Sequence, residues 1–266
     1  MKINDGSISS RRPVRSFLRH IRRQKLGGLI FFLGALIGFG FNGLAVTADL
    51  NGASFWGDFQ DGANFDRQLP IQADLVKIQC PILLAPGEEG TITATLRNPD
   101  QITAEIPVKV VVSKDDFQNY RGLTDRLPVA PLEKQDFRWQ ITEQDIIERN
   151  FILTRIFLMY DDTPARTESC GIFVMHLFGL KGAALVVLTV VTSLSFLSVG
   201  SVLLYRANPS PSYGVTSPPI EVGLVGLAAI LGIGMIANLL GWWIFAGIVL
   251  VLAVLLSLAL IPSMLN

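Results

Sequence analysis

The residues of this chain best suited to chemistry are two thiols, one loop of oxygen ligands and a row of hydroxyls. Cys80 and Cys170 are the only cysteines. One lies near the first strand-like run of a polar region and the other near its last. In an oxidising compartment they read as one disulfide joining the ends of a domain. A metal centre would need imidazole partners, yet His20 lies in a basic N-terminal arm and His176 stands alone. A redox dithiol would favour a close CxxC pair. Asp58, Asp61, Asn64 and Asp66 are spaced somewhat like calcium ligands, and Gly62 could supply a tight turn. They miss the alternate-oxygen spacing and the terminal bidentate Glu of an EF-hand. The other reading of that loop puts Phe55, Trp56, Phe59 and Phe65 at a bilayer interface or over the end of a domain.

Acid–base work could in principle come from Asp58/Asp61 or Asp115/Asp116. Twenty acids scattered over residues 49–180 describe a solvated surface instead. No GxSxG, P-loop, HExxH or dinucleotide fingerprint occurs. The expectation is a non-enzymatic protein without a cofactor.

What must position these groups is decided by residues 26–48, LGGLIFFLGALIGFGFNGLAVTA. This stretch has no charge, follows an arginine-dense block and ends at Asp49. As a helix it rises about 35 Å, enough to cross a hydrocarbon core of about 30 Å. Val46-Thr47-Ala48 has the small side chains a signal peptidase needs, but the apolar run exceeds the roughly 7–15 residues of a signal core. The segment is therefore read as an uncleaved anchor. Ser10-Arg11-Arg12 hints at a twin-arginine signal, from which Pro13-Val14-Arg15 departs. Gly34 and Gly38 form a GxxxG pair suited to close helix packing.

Charge-free runs recur at 182–205 and 222–266. The first, between Lys181 and Arg206, carries Thr189, Thr192, Ser193, Ser195, Ser198 and Ser201, hydroxyls suited to packing against protein. The second would be about 67 Å long as one helix and must turn. Asn238 to Gly241 is the natural turn, with Trp242 and Trp243 at the interface. Spans three and four are then 221–238 and 242–262, with Gly226 and Gly234 on a small-residue face. A linker at 206–220 with four prolines separates spans two and three.

Half of the 266 residues are hydrophobic and the net charge is zero, but the charge is polarised. Residues 1–25 hold eight bases against one acid, whereas residues 49–180 hold twenty acids against twelve bases. The positive-inside bias keeps the 1–25 arm in the cytoplasm and sends residues 49–178 outside, with both termini cytoplasmic. The arm is read as a retention signal that touches anionic lipid, rather than as a nucleic-acid binder. Apart from Glu221 at the edge of span three, no Asp, Glu, Lys, Arg or His lies inside any span, which disfavours an ion-coupled transporter.

The outer region switches to period two. Ile92, Ala94 and Leu96 alternate with threonines, and Ile106, Val108, Val110 and Val112 repeat the pattern, as do Phe137, Trp139 and Ile141. Residues 150–160 are apolar on both faces, as in a central strand. Only 142–148, TEQDIIE, looks helical, with Thr142 and Asp145 placed as a cap. Six or seven strands are expected, arranged as a β-sandwich.

The run from Leu84 through Pro86-Gly87-Glu88 and the strand Thr91–Leu96 to Asn98-Pro99 resembles a signature of bacterial extracytoplasmic Ig-like modules of the cell-adhesion-related type. Pro131-Leu132-Glu133-Lys134 resembles a second such turn, with Leu in place of Gly. The resemblance covers about 100 residues and implies a sandwich fold with roles in contact or scaffolding, without identifying a functional residue. The whole is thus expected to be a four-helix membrane protein carrying an all-β Ig-like sandwich outside the cytoplasm. Its expected role is that of an accessory or scaffolding subunit with a membrane-protein partner or self-association. The alternative is a ligand sensor or solute-binding module that relays through its helices.

Overall fold

The computed structural model describes residues 13–57, 74–114, 116–160, 163–175, 177, 179–207 and 220–265. Among the described residues four helices are long and apolar enough to cross a membrane: α1 (Pro13–Trp56), α2 (Gly182–Ala207), α3 (Ile220–Leu239) and α4 (Trp243–Leu265). Between α1 and α2 lie eight strands among the described residues. Strands β1 (Asp74–Gln79), β3 (Gly90–Arg97) and β6 (Lys134–Ile141) form one sheet in the order β1-β3-β6. Strands β2 (Leu83–Leu84), β8 (Thr163–Val174), β7 (Phe151–Tyr160), β4 (Ala104–Lys114) and β5 (Asp116–Val129) form the other, in that order. All pairings are antiparallel except β2 with β8.

The alternating residues do what their period demands. Ile92, Ala94 and Leu96 of β3 and Trp139 and Ile141 of β6 share one buried cluster with Ile106, Val108, Val110 and Val112 of β4. Ile152, Ile156 and Leu158 of β7 and Ile172 and Val174 of β8 complete it, so the two sheets bury their apolar faces on a common core.

Asn98 explains why an asparagine closes the β3 strand. Its side chain is fully buried and donates to the carbonyls of Ile102 (2.8 Å), Val129 (2.9 Å) and Ala130 (3.2 Å), while its Oδ1 accepts from the Asp100 N–H (3.0 Å). One amide thus ties the β3–β4 and β5–β6 turns together. Asn98→Ala leaves the buried Val129 carbonyl and two part-buried ones without this donor, and a loss of about 2–3 kcal/mol is expected in denaturant titration.

The two turns that resemble each other in sequence also match in backbone. Gly87 has φ +72, and Leu132, where glycine is replaced, has φ +59. Leu132 is exposed and packs little, so its left-handed conformation is strained without compensation. Leu132→Gly should stabilise by about 0.5–1 kcal/mol after the extra chain entropy of glycine is counted, and a rise in thermal midpoint would check it.

Three elements differ from the sequence reading. The first helix does not end near Ala48 but runs unbroken to Trp56. Of 142–148, only a single 3-10 turn, Glu143–Asp145, is helical. There Asp145 is buried, accepts from the Thr142 N–H (2.8 Å) and pairs with Arg121 (2.8 Å), while Ile147 bridges to Phe151. The local bonds and the Arg121 pair, 24 residues away in sequence, hold the segment at one turn. Finally, β5 is an additional 14-residue edge strand, which the chain's alternation does not advertise.

The helices pack around α1. Phe31 and Ala35 of α1 join Leu197 of α2, Leu224, Leu227 and Leu231 of α3 and Ala253 of α4 in a second buried cluster. The α3–α4 turn closes with Gly241 at φ +77, its N–H on the Asn238 carbonyl (3.0 Å), and with the Trp242 N–H on the Ala237 carbonyl (2.9 Å).

Candidate functional site: the junction of bundle and sheets

Where helices meet sheets, the backbone contacts are closest. In the bundle, α1 and α2 run antiparallel in a register set by glycines. A methyl group at Gly34 would stand 2.7 Å from the Leu197 amide nitrogen, and one at Gly38 would stand 3.0 Å from Ser193 Oγ. Ser193 Oγ itself donates to the Gly34 carbonyl (2.8 Å). Continuing that register sets Asp49 opposite Gly182, the first residue of α2. Residues 49–56 therefore extend past the end of α2 and lie against β8 and β7.

Four contacts fix this overhang. Gly171 of β8 is pressed so closely on α1 that any side chain would collide with the Ala48 carbonyl. Its N–H donates to Asp49 Oδ1 (3.1 Å). Gly52 lies on the backbone of Cys170, with 3.0 Å between its would-be Cβ and the Cys170 carbonyl carbon. Beyond them, Arg155 of β7 donates to the Trp56 carbonyl (2.7 Å), placing a guanidinium at the negative end of the helix.

The second helix is held from the other side. Glu88 Oε2 accepts from its own turn at the Ala85 N–H (2.9 Å) and from the Gly182 N–H (2.7 Å). A carboxylate at the first N–H of α2 is also favoured by the helix dipole. Gly182 in turn admits the Leu83 carbonyl, which a Cβ would meet head-on. Glu88, Gly171 and Arg155 escaped sequence reasoning because their partners lie 94, 122 and 99 residues away. Glu88 stands in the Pro-Gly-Glu turn, the one signal that could have flagged it.

Cys80 and Cys170 are bonded to each other. The disulfide thus anchors the end of β1 to β8 one residue from the Gly171 contact.

Within the bundle an amide pair crosses from α1 to α3. Asn42 donates to the Gly38 carbonyl (3.0 Å) and the Leu231 carbonyl (3.3 Å), and its Oδ1 accepts from Asn238 Nδ2 (2.8 Å). Gly234 makes room for it, since a Cβ there would stand 3.0 Å from Asn42 Oδ1. Gly226 makes no such approach, its nearest would-be contact being Leu256 at 3.8 Å. Asn42 was legible only as a lone polar residue in an apolar run.

Beside the overhang lies a cleft of about 290 Å³, lined by Asn51, Ser54 and Phe55 of α1, by Ile147 and Glu148, and by Phe151 and Leu153 of β7. At its rim the chain makes a tight reversal, with the Asn150 N–H on the Ile147 carbonyl (3.2 Å) and φ of +48 and +67 at Glu148 and Arg149. Positive φ at both central positions is the pattern of a type I′ turn, here without its usual Asn-Gly.

Among the described residues no three His, Cys, Asp or Glu side chains converge on a metal-sized site. Asp58, Asp61, Asn64 and Asp66 lie outside the described residues, as does Asp115.

The chain matches no protein-family model and no curated protein. Among solved structures it is similar to a cycloisomaltooligosaccharide glucanotransferase of Paenibacillus sp., at 18% identity and a TM-score of 0.32. That likeness covers 40% of this chain and 14% of the glucanotransferase. It is also similar to the CARDB domain of the PF1109 protein from Pyrococcus furiosus, in complex with di-metal ions, at 14% identity and a TM-score of 0.30. There the cover is 40% of this chain and 96% of that domain. Likenesses at these scores carry no argument about this chain.

Proposed function

We propose that this chain is a non-enzymatic subunit of a membrane complex, which presents an Ig-like β-sandwich outside the cytoplasm as a surface for protein contact. The observation that carries the reading is the double clamp at the junction. Asp49 and Gly171 hold the sheets to α1, and Glu88 holds them to α2. A domain mounted this way keeps a fixed pose above the bilayer, as a scaffolding surface requires and a tethered, freely rotating module would not. Support for the Ig-like assignment comes from the common core of the two sheets and from the Asn98 bonds between their turns. Support for the outward orientation comes from the arginine-rich arm and from the disulfide, which belongs in an oxidising compartment. In this reading α1 is retained in the working protein, because its last two turns are part of the mount.

Gentle detergent extraction and mass spectrometry of the particle test the proposal, with a stoichiometric partner or a defined homo-oligomer expected. A monodisperse lone chain would overturn it. Orientation is checked separately with Ile102→Cys, whose side chain is exposed on a far turn. A membrane-impermeant maleimide should label it in intact cells and should leave a cysteine placed in the 1–12 arm unlabelled.

A further inference from the structure

We propose that the cleft between the end of α1 and the Ile147–Phe151 turn binds an ammonium group, carried by the headgroup of a zwitterionic phospholipid in the leaflet on the side of the sheets. This goes beyond the scaffolding role and does not depend on the identity of a protein partner.

The first ground is depth. The register of α1 against α2 sets Asp49 level with the start of α2, so Asn51 and Phe55 lie about 3–9 Å beyond the apolar spans. The headgroup layer on each side of the hydrocarbon core is about 5–8 Å thick. The cleft therefore opens in that layer, next to chain already committed to the membrane.

The second ground is the chemistry of the lining. Glu148 is exposed at the edge and supplies a carboxylate. Phe55 and Phe151 supply two rings, and a carboxylate beside aromatic faces is the combination that recognises primary and quaternary ammonium. Asn51 and Ser54, three residues apart on one face of α1, supply donors for a phosphate. Ile147 and Leu153 give an apolar surface for the glycerol end. A volume of about 290 Å³ suits a headgroup better than a larger solute. The nearby cation Arg155 is engaged with the Trp56 carbonyl and Thr167 Oγ1. Arg149, next to Glu148 in the turn, is not among the lining residues. An anionic headgroup without an ammonium would face the Glu148 carboxylate uncompensated.

The full chain is reconstituted in nanodiscs of phosphatidylethanolamine and phosphatidylglycerol in equal parts, and the lipid retained after detergent release is read by native mass spectrometry. Phosphatidylethanolamine should be retained roughly fivefold over phosphatidylglycerol. Glu148→Gln should erase the preference, and Ser54→Ala should weaken retention of both lipids. Phe151 also meets the Phe173 ring edge to face at 5.3 Å, so its truncation would disturb the sheet, and the two polar variants carry the test. Equal retention of the two lipids, or a preference unchanged in Glu148→Gln, would overturn the proposal. A second arm titrates O-phosphoethanolamine and tetramethylammonium into nanodiscs of phosphatidylglycerol alone, read by thermal shift. Binding of these solutes without lipid retention would overturn the lipid source and keep the ammonium site.

Discussion

Replacing Gly171 by valine will detach the end of α1 from the sheets. A side chain at this position meets the Ala48 carbonyl, and behind that the Asp49 amide at 2.9 Å, so the obstacle is backbone. A flexible side chain could turn aside, but a helix can only move as a body. The shift would also break the Gly171 N–H bond to Asp49 and lift Gly52 off Cys170. Overpacking within cores commonly costs about 1–3 kcal/mol, and a clash between two backbones belongs at or above the top of that range. Hydrogen exchange should report it as faster exchange in residues 45–56, with the pairing of α1 and α2 around Gly34 unchanged. Gly122→Ala serves as the control, because no atom lies within 4 Å of its would-be Cβ. If Gly171→Val leaves exchange of that segment as slow as in the parent, the clamp is not what holds the overhang.

The disulfide carries the other large effect. Its two halves are 90 residues apart, and closing so long a loop restricts the unfolded chain by about 4–5 kcal/mol in the chain-entropy account. Cys80→Ser with Cys170→Ser should therefore lower the stability of the sheets by about that amount, less whatever structure the unfolded chain retains. The parent should show a matching loss on reduction. Denaturant titration of the full chain, followed by the fluorescence of the buried Trp139, would measure it. A midpoint indifferent to reduction would show that the sheets hold β1 without help. The loss should concentrate in β1, an edge strand that among the described residues pairs only with β3.

Much of the architecture was written in local pattern. The spans stood out because a bilayer demands about 20 apolar residues in a row, and the core strands because one buried face forces alternation. The pairing of the cysteines followed from there being only two in one domain. β5 was illegible for the converse reason. As an edge strand it sends only Leu123, Leu127 and Val129 towards the core, the first two just partly buried, and most of its other described residues face solvent. The extent of α1 was missed because Asp49 and Asn51 look like the end of a span, whereas here they begin the contact with β8 and β7. The cleft was missed because its lining joins α1 to a turn some 95 residues further on. The aromatic stretch that begins at Phe55 hinted at one side of it.

A rod that passes without a break from lipid into a folded domain also acts as a lever. Spans adapt to thinner or thicker bilayers by tilting, and α1 has no hinge at the surface to absorb the change. A tilt of about ten degrees would carry the far turns, about 23 Å along β3 from the junction, sideways by about 4 Å. Bilayer thickness would then set where the outer surface points, and distances from a dye at Ile102 to labelled lipids in short-chain and long-chain bilayers would measure the swing.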